Sequence, residues 1–180
     1  ASMLLVFGGS LGARHLNAAI SSMKKDLLAI DNLYVVHITG PKELETVEAV
    51  LALTEEEKKR YLVMGYQNRM GETMAACDMV VSRAGATSLA EISARCIPAI
   101  LVPFPFATAD HQTTNARSYV RAGAAWMMAD DMVETPEFKE LVLTFVDDEK
   151  ARLKMSEAAR GFETGNAASK LADVVLNAAR

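Results

Sequence analysis

Apolar positions along this chain follow two rhythms. Met3–Phe7 (MLLVF) is an unbroken apolar run that stops at glycines, as a strand buried on both faces does. Arg14 to Ile30 switches to helical spacing, with Leu16, Ala19, Ile20, Met23, Leu27 and Leu28 on one side. The alternation then repeats. Strands are expected at Leu33–Thr39, Tyr61–Tyr66, Met79–Arg83, Pro98–Phe104 and Ala124–Ala129. Helices are expected over KELETVEAVL, RMGETMAACD, AGATSLAEISARC and from about Asp110 to Ala122. The charged TEEEKKR run reads as a solvated helix end or loop. From Thr135 onward the pattern is helical, with breaks near Asp147 and at Gly165.

Apolar strands alternating with amphipathic helices predict an α/β fold, a Rossmann-like parallel sheet of about six strands covered by helices on both faces. Ligands of such sheets bind beyond the carboxyl ends of the strands. The chemistry is therefore sought just after each strand: Gly8–Gly12, Tyr66–Met70, Arg83–Ser88 and Pro103–Asn115. These four segments are expected to meet at one edge. With 180 residues the chain is long enough for one domain with a substantial core. A net charge of -4 carries no basic excess toward nucleic acid. No apolar run approaches the roughly 18 residues of a membrane span, and the first residues lack the charged start of a signal peptide. Cys77 and Cys96 have no metal-site or C-x-x-C spacing and read as reduced core thiols, which favours a cytoplasmic setting.

The first glycine turn, VFGGSLGA, can be read three ways. Gly8–Gly12 spells G-x-S-x-G, the pattern of a nucleophilic serine, and Asp78 followed by His111 would supply an acid and a base in a permitted order. That fold places strands and an oxyanion loop before the nucleophile, and here the turn follows the first strand. A phosphate cradle fits better. Gly8, Gly9 and Gly12 let the backbone approach a ligand, Ser10 adds a hydroxyl donor, and the next helix presents its positive end. A tight turn that binds nothing is the third reading. The second turn, SRAGATSLAEI, divides similarly. Ser88 and Glu91 fit a capping box. Alternatively, Ala86, Thr87 and Ser88 face phosphate while Glu91, one turn on, accepts from ribose hydroxyls. In DHQTTN, Asp110 reads as an N-cap, Gln112 suits sugar hydroxyls and His111 can contact a ligand. Tyr66 reads as core or rim rather than a base-stacking platform. No metal is expected, because His15 and His37 lie on other elements.

Taken together, GGSLGA, GYQNRM, SRAGATSLAEI and PFPFATADHQTTNA resemble the donor half of the MurG family, glycosyltransferases of peptidoglycan synthesis. The resemblance runs from Leu4 to the final helix. It implies one half of a GT-B fold, two Rossmann-like halves facing across a cleft, and the transfer of N-acetylglucosamine from UDP-GlcNAc to undecaprenyl-pyrophosphoryl-MurNAc-pentapeptide. It places Gly9, Ser10 and Gly12 by the diphosphate. Gln67 meets uracil through its backbone, with Tyr66 and Met70 lining the nucleotide pocket. The helix start at Gly85, Ala86, Thr87 and Ser88, with Leu89 and Ala90 following, receives phosphate. Glu91 takes the ribose, and Gln112 with His111 beside it takes the sugar, the two being interchangeable within the loop-length variation. No cofactor is implied, since UDP-GlcNAc is the donor substrate.

The departures from the family pattern shape the remaining expectations. The family's N-terminal acceptor half, its general base, its membrane-associating patch and its Asn-Pro-Val-Arg linker have no counterpart here. Residues 1–180 are thus expected to form one isolated donor domain, with Ala1-Ser2 left over from expression. That domain should bind UDP or UDP-GlcNAc without turnover. The lipid-linked acceptor would be reached through the other half, at the cytoplasmic face of the membrane. Two alternatives stay open: the donor half of another GT-B enzyme, of glycolipid synthase or UDP-GlcNAc epimerase type, and a non-catalytic nucleotide-binding module.

Overall fold

A computed structural model describes residues 1–9, 13–106 and 111–161. Six strands form one sheet: β1 (Ser2–Phe7), β2 (Leu33–Ile38), β3 (Tyr61–Met64), β4 (Met79–Ser82), β5 (Ala99–Leu101) and β6 (Ala125–Met127). Every pairing is parallel, and the order across the sheet is β3-β2-β1-β4-β5-β6. The chain winds outward from β1 to β3, then returns to the middle and winds the other way from β4. Connections leaving β1 and β4 therefore part in opposite directions, which opens a crevice at the carboxyl ends of these two neighbours.

Strand alternation builds a core on each face. Leu4 and Val6 point to one side with Val35, Tyr61, Val81 and Ile100. There they meet α1 (Arg14–Ser22), α2 (Lys24–Ala29), α3 (Leu44–Leu51) and α7 (Pro136–Asp147). Leu5 and Phe7 point to the other side with Ile38, Val80 and Leu101. That face is covered by α4 (Met70–Ala76), α5 (Ala86–Ala94) and α6 (His111–Arg121). α8 (Glu149–Arg160) contributes Met155 to the first core and Ala159 to the second.

The expected long helix from Arg14 to Ile30 is two helices, broken at Met23, whose amide closes back on the Ile20 and Ser21 carbonyls. Leu16, Ile20, Met23 and Leu27 still share one buried side, which is why the apolar rhythm hides the break. The break near Asp147 is also present. Asp148 caps α8 by accepting the Ala151 amide, and the buried Arg152 donates to the Phe145 and Val146 carbonyls at the end of α7. The charged run at Thr54–Arg60 holds a short 3₁₀ turn at Glu57–Lys59. The expected break at Gly165 lies outside the described residues. No helix among the described residues is long and apolar enough to cross a membrane.

Candidate functional site

A cavity of about 530 Å³ occupies the crevice at the carboxyl ends of the strands. Its floor is the end of β1, where Phe7, Gly8 and Gly9 meet it. Gly9 adopts φ +77°, a left-handed conformation that side chains resist, so the chain turns here at little cost only because the residue is glycine. Ser10 and Gly12 fall outside the described residues, as does Asp110.

The opposite wall is the start of α5. Gly85 is its N-cap, and the first intrahelical bond runs from the Leu89 amide to the Gly85 carbonyl at 2.9 Å. The amides of Ala86, Thr87 and Ser88 are therefore left without helical acceptors, and all three residues line the cavity. This corrects the capping-box reading. Ser88 sits at the third helical position, not at the cap, and no side chain caps this helix. Glu91, one turn further in, lines the same cavity. Leu89 and Ala90 do not. Leu89 is buried in the core at 4% exposure, and Ala90 is exposed outside the lining, because helical rotation turns them away from the face that carries Ser88 and Glu91.

Tyr66, Gln67 and Met70 enter from the loop after β3. Tyr66 is 67% exposed, so it is neither core nor strand: β3 ends at Met64, and the ring stands at the cavity wall. The Gln67 side-chain oxygen accepts the Arg69 amide at 3.1 Å, which folds the loop on itself. From the other side comes Gln112. Its Oε1 accepts the amides of Ala84 at 3.2 Å and Phe104 at 2.9 Å, tying the ends of β4 and β5 together. With the carbonyl end engaged, the amide N–H groups are its remaining donors. His111 is exposed and absent from the cavity lining, so of the interchangeable pair Gln112 is the one at the cavity.

Two further walls complete the cavity, the first outside the segments the sequence singled out and the second inside them but given no role there. One is the turn after β2, where Gly40 and Pro41 line the cavity. Its signal was the Thr-Gly-Pro at a strand end, and β2 proves to be the neighbour of β1. The turn is held from within the core. Buried His37 bonds Asn17 Oδ1 through Nε2 at 3.0 Å and the Tyr61 hydroxyl through Nδ1 at 3.1 Å. Asn17 donates to the Thr39 carbonyl, and Thr39 donates to Gly40. Burial lowers the His37 pKa to about 4, so the ring is neutral. The other wall is Arg83 with Phe104. Arg83 is 6% exposed, pairs with the equally buried Asp130, and donates to the Val102 and Pro103 carbonyls. Its guanidinium lies 5.5 Å from the Phe104 ring centroid, within cation–π range.

The hydrolase alternative loses its acid here. Asp78 precedes β4 and accepts the Met3 amide at 2.7 Å, at the amino end of the sheet, whereas His111 opens a helix at the carboxyl end. Burial pushes the Cys77 thiol up to about 12, and neither cysteine forms a disulfide.

An open parallel sheet with free helix amides at its switch-point crevice defines a Rossmann-like ligand-binding domain. The chain belongs to the family described as glycosyltransferase family 28 C-terminal domain, which matches residues 3–175. It is 37% identical over 177 residues to the UDP-N-acetylglucosamine--N-acetylmuramyl-(pentapeptide) pyrophosphoryl-undecaprenol N-acetylglucosamine transferase of Chlorobium phaeobacteroides, covering 98% of this chain and 47% of that protein. The enzyme of the same name from Salinibacter ruber is 39% identical over 175 residues, 97% of this chain and 46% of its own length. Among solved structures, Acinetobacter baumannii MurG superposes with a TM-score of 0.83 at 27% identity, over 98% of this chain and 52% of that one. The chain thus spans about half the length of the relatives it matches.

Proposed function

We propose that this chain is the donor-binding half of a peptidoglycan N-acetylglucosaminyltransferase, with UDP-GlcNAc as its ligand. One observation carries the reading: the open amides of Ala86, Thr87 and Ser88 and the carboxylate-bearing Glu91 share a single cavity at the sheet's switch point. Free amides at a helix start suit a diphosphate, and a carboxylate one turn deeper suits the paired hydroxyls of a ribose. The loop with Tyr66 and Gln67 lies at the end suited to uracil, and Gln112 offers amide N–H donors to the sugar. In the parent reaction an acceptor hydroxyl displaces UDP at the anomeric carbon. The amides at the start of α5 meet the negative charge that grows on the leaving diphosphate. The proton of the attacking hydroxyl goes to a base on the acceptor half of the whole enzyme. That whole protein works on a lipid-linked acceptor at the cytoplasmic face of the membrane, a setting that agrees with two free cysteines.

Calorimetric titration of the chain with UDP, UDP-GlcNAc and CDP tests the reading. Both uridine ligands should bind, and CDP, which differs from UDP only in its base, should bind at least about tenfold more weakly, the difference expected of a few base-edge hydrogen bonds. No heat with UDP at millimolar concentration would overturn it.

A further inference from the structure

A second cavity of about 510 Å³ adjoins the first, and Gly40, Pro41, Arg83 and Phe104 line both. Its charge is different. Arg14 and His15 at the start of α1, and Lys42 after β2, face it together with Glu43 and Asp130. Asp130 is already engaged, with one oxygen on Arg83 and the other 2.8 Å from His15 Nδ1. Arg14 and Lys42 are exposed, and neither makes an ion pair among the described residues. Glu43 alone is left to oppose these two cations, so the cavity carries a positive surplus. Phe106, which is 84% exposed, brings an apolar ring to the same lining.

A cation surplus beside an exposed aromatic ring suits an anion that carries an apolar chain. The related transferases are named for a pyrophosphoryl-undecaprenol acceptor, a diphosphate joined to a polyprenyl chain. We propose that the second cavity is a subsite for the diphosphate of this lipid-linked acceptor, gripped by Arg14 and Lys42, with Phe106 against the first part of the prenyl chain. The acceptor is then held by both halves of the whole enzyme, and not by its other half alone. Sharing the Arg83–Phe104 wall sets acceptor and donor side by side, and the buried pairing of Arg83 with Asp130 keeps that wall fixed. The inference rests on the donor reading of the first cavity.

The test is calorimetry on the 180-residue chain, first with UDP alone, then with inorganic pyrophosphate and with farnesyl diphosphate on the UDP-saturated chain. Both diphosphates should bind alongside UDP, farnesyl diphosphate the more tightly. The Arg14→Ala, Lys42→Ala double variant should weaken both by roughly tenfold or more while UDP affinity stays within about twofold and Tm is unchanged. Equal diphosphate affinity in variant and parent, or none in the presence of UDP, overturns the proposal. Pyrophosphate binding as tightly as farnesyl diphosphate overturns the lipid-linked assignment in favour of a free anion. Absence of UDP binding in the first arm is a failure of the donor reading instead. The subsite then stands only if diphosphate binding to the ligand-free chain depends on Arg14 and Lys42, and falls if it does not.

Discussion

Glu91 is where the competing roles of a residue separate. As a capping-box partner its loss would loosen α5. As a ribose acceptor its loss would cost affinity and leave the fold alone. Because Ser88 is not the cap, the fold has little to lose. Glu91→Ala should weaken UDP by roughly ten- to a hundredfold, the loss of hydrogen bonds to a charged group, with Tm nearly unchanged. Calorimetry and a thermal melt on the same sample decide it: a large fall in Tm with unaltered affinity would restore the capping role. His37 makes a prediction of a different kind. Its folded pKa of about 4 lies below the ordinary 6.5, so as pH falls the unfolded chain takes up a proton that the fold refuses. Stability from this residue is complete above pH 6.5 and is lost as pH falls toward 4, by about 3 kcal/mol in all. His37→Gln should flatten the dependence of Tm on pH across that window. An unchanged slope would show that other groups set it. Neither residue's part could be read from its letter alone. The sequence offers a histidine in an apolar strand, and only packing pairs it with Asn17 and Tyr61.

At the scale of elements, the helix starts and strand ends explain both the successes and the misses. Periodicity located every strand and overran all but β1, as at Tyr66 and Phe104. Both residues line the cavity, and an apolar letter reads the same whether it pairs in a sheet or faces a ligand. The turn after β2 was passed over for the opposite reason: Gly40 and Pro41 carry no functional group, and they matter through shape. Gly65 packs that turn against the end of β3. A Cβ there would stand 3.2 Å from Pro41 Cα and 3.3 Å from Leu44 Cδ2, closer than ordinary contact. Gly65→Ala should therefore push the turn outward by a few tenths of an ångström, destabilise the fold by about 1 kcal/mol, and lower UDP affinity severalfold, since Gly65 and Pro41 both line the cavity. A denaturant melt alongside a UDP titration checks both effects, and an affinity equal to the parent's would mean that the turn does not shape the bound pocket.

For the molecule as a whole, this chain covers about half the length of the enzymes it matches. The chain incubated with UDP-GlcNAc and a lipid-linked acceptor should bind donor and release no more UDP than buffer, because the base is assigned to the other half. Coupled detection of UDP would expose any turnover and with it an error in that assignment. The alternation of apolar runs and amphipathic helices determined by itself that the sheet is parallel and doubly covered, since buried strands and half-buried helices differ in period. It also determined that glycine-rich turns follow β1 and β4. What it left open was adjacency. Strand order depends on which apolar faces meet across the sheet, information that no local window contains. That order, β3-β2-β1-β4-β5-β6, sets β1 beside β4 and brings their turns to one crevice. It also adds the β2 turn as a wall and joins Arg83 of one strand end to Asp130 after another. The chemistry is written in short motifs, while the site exists only where long-range packing brings them together.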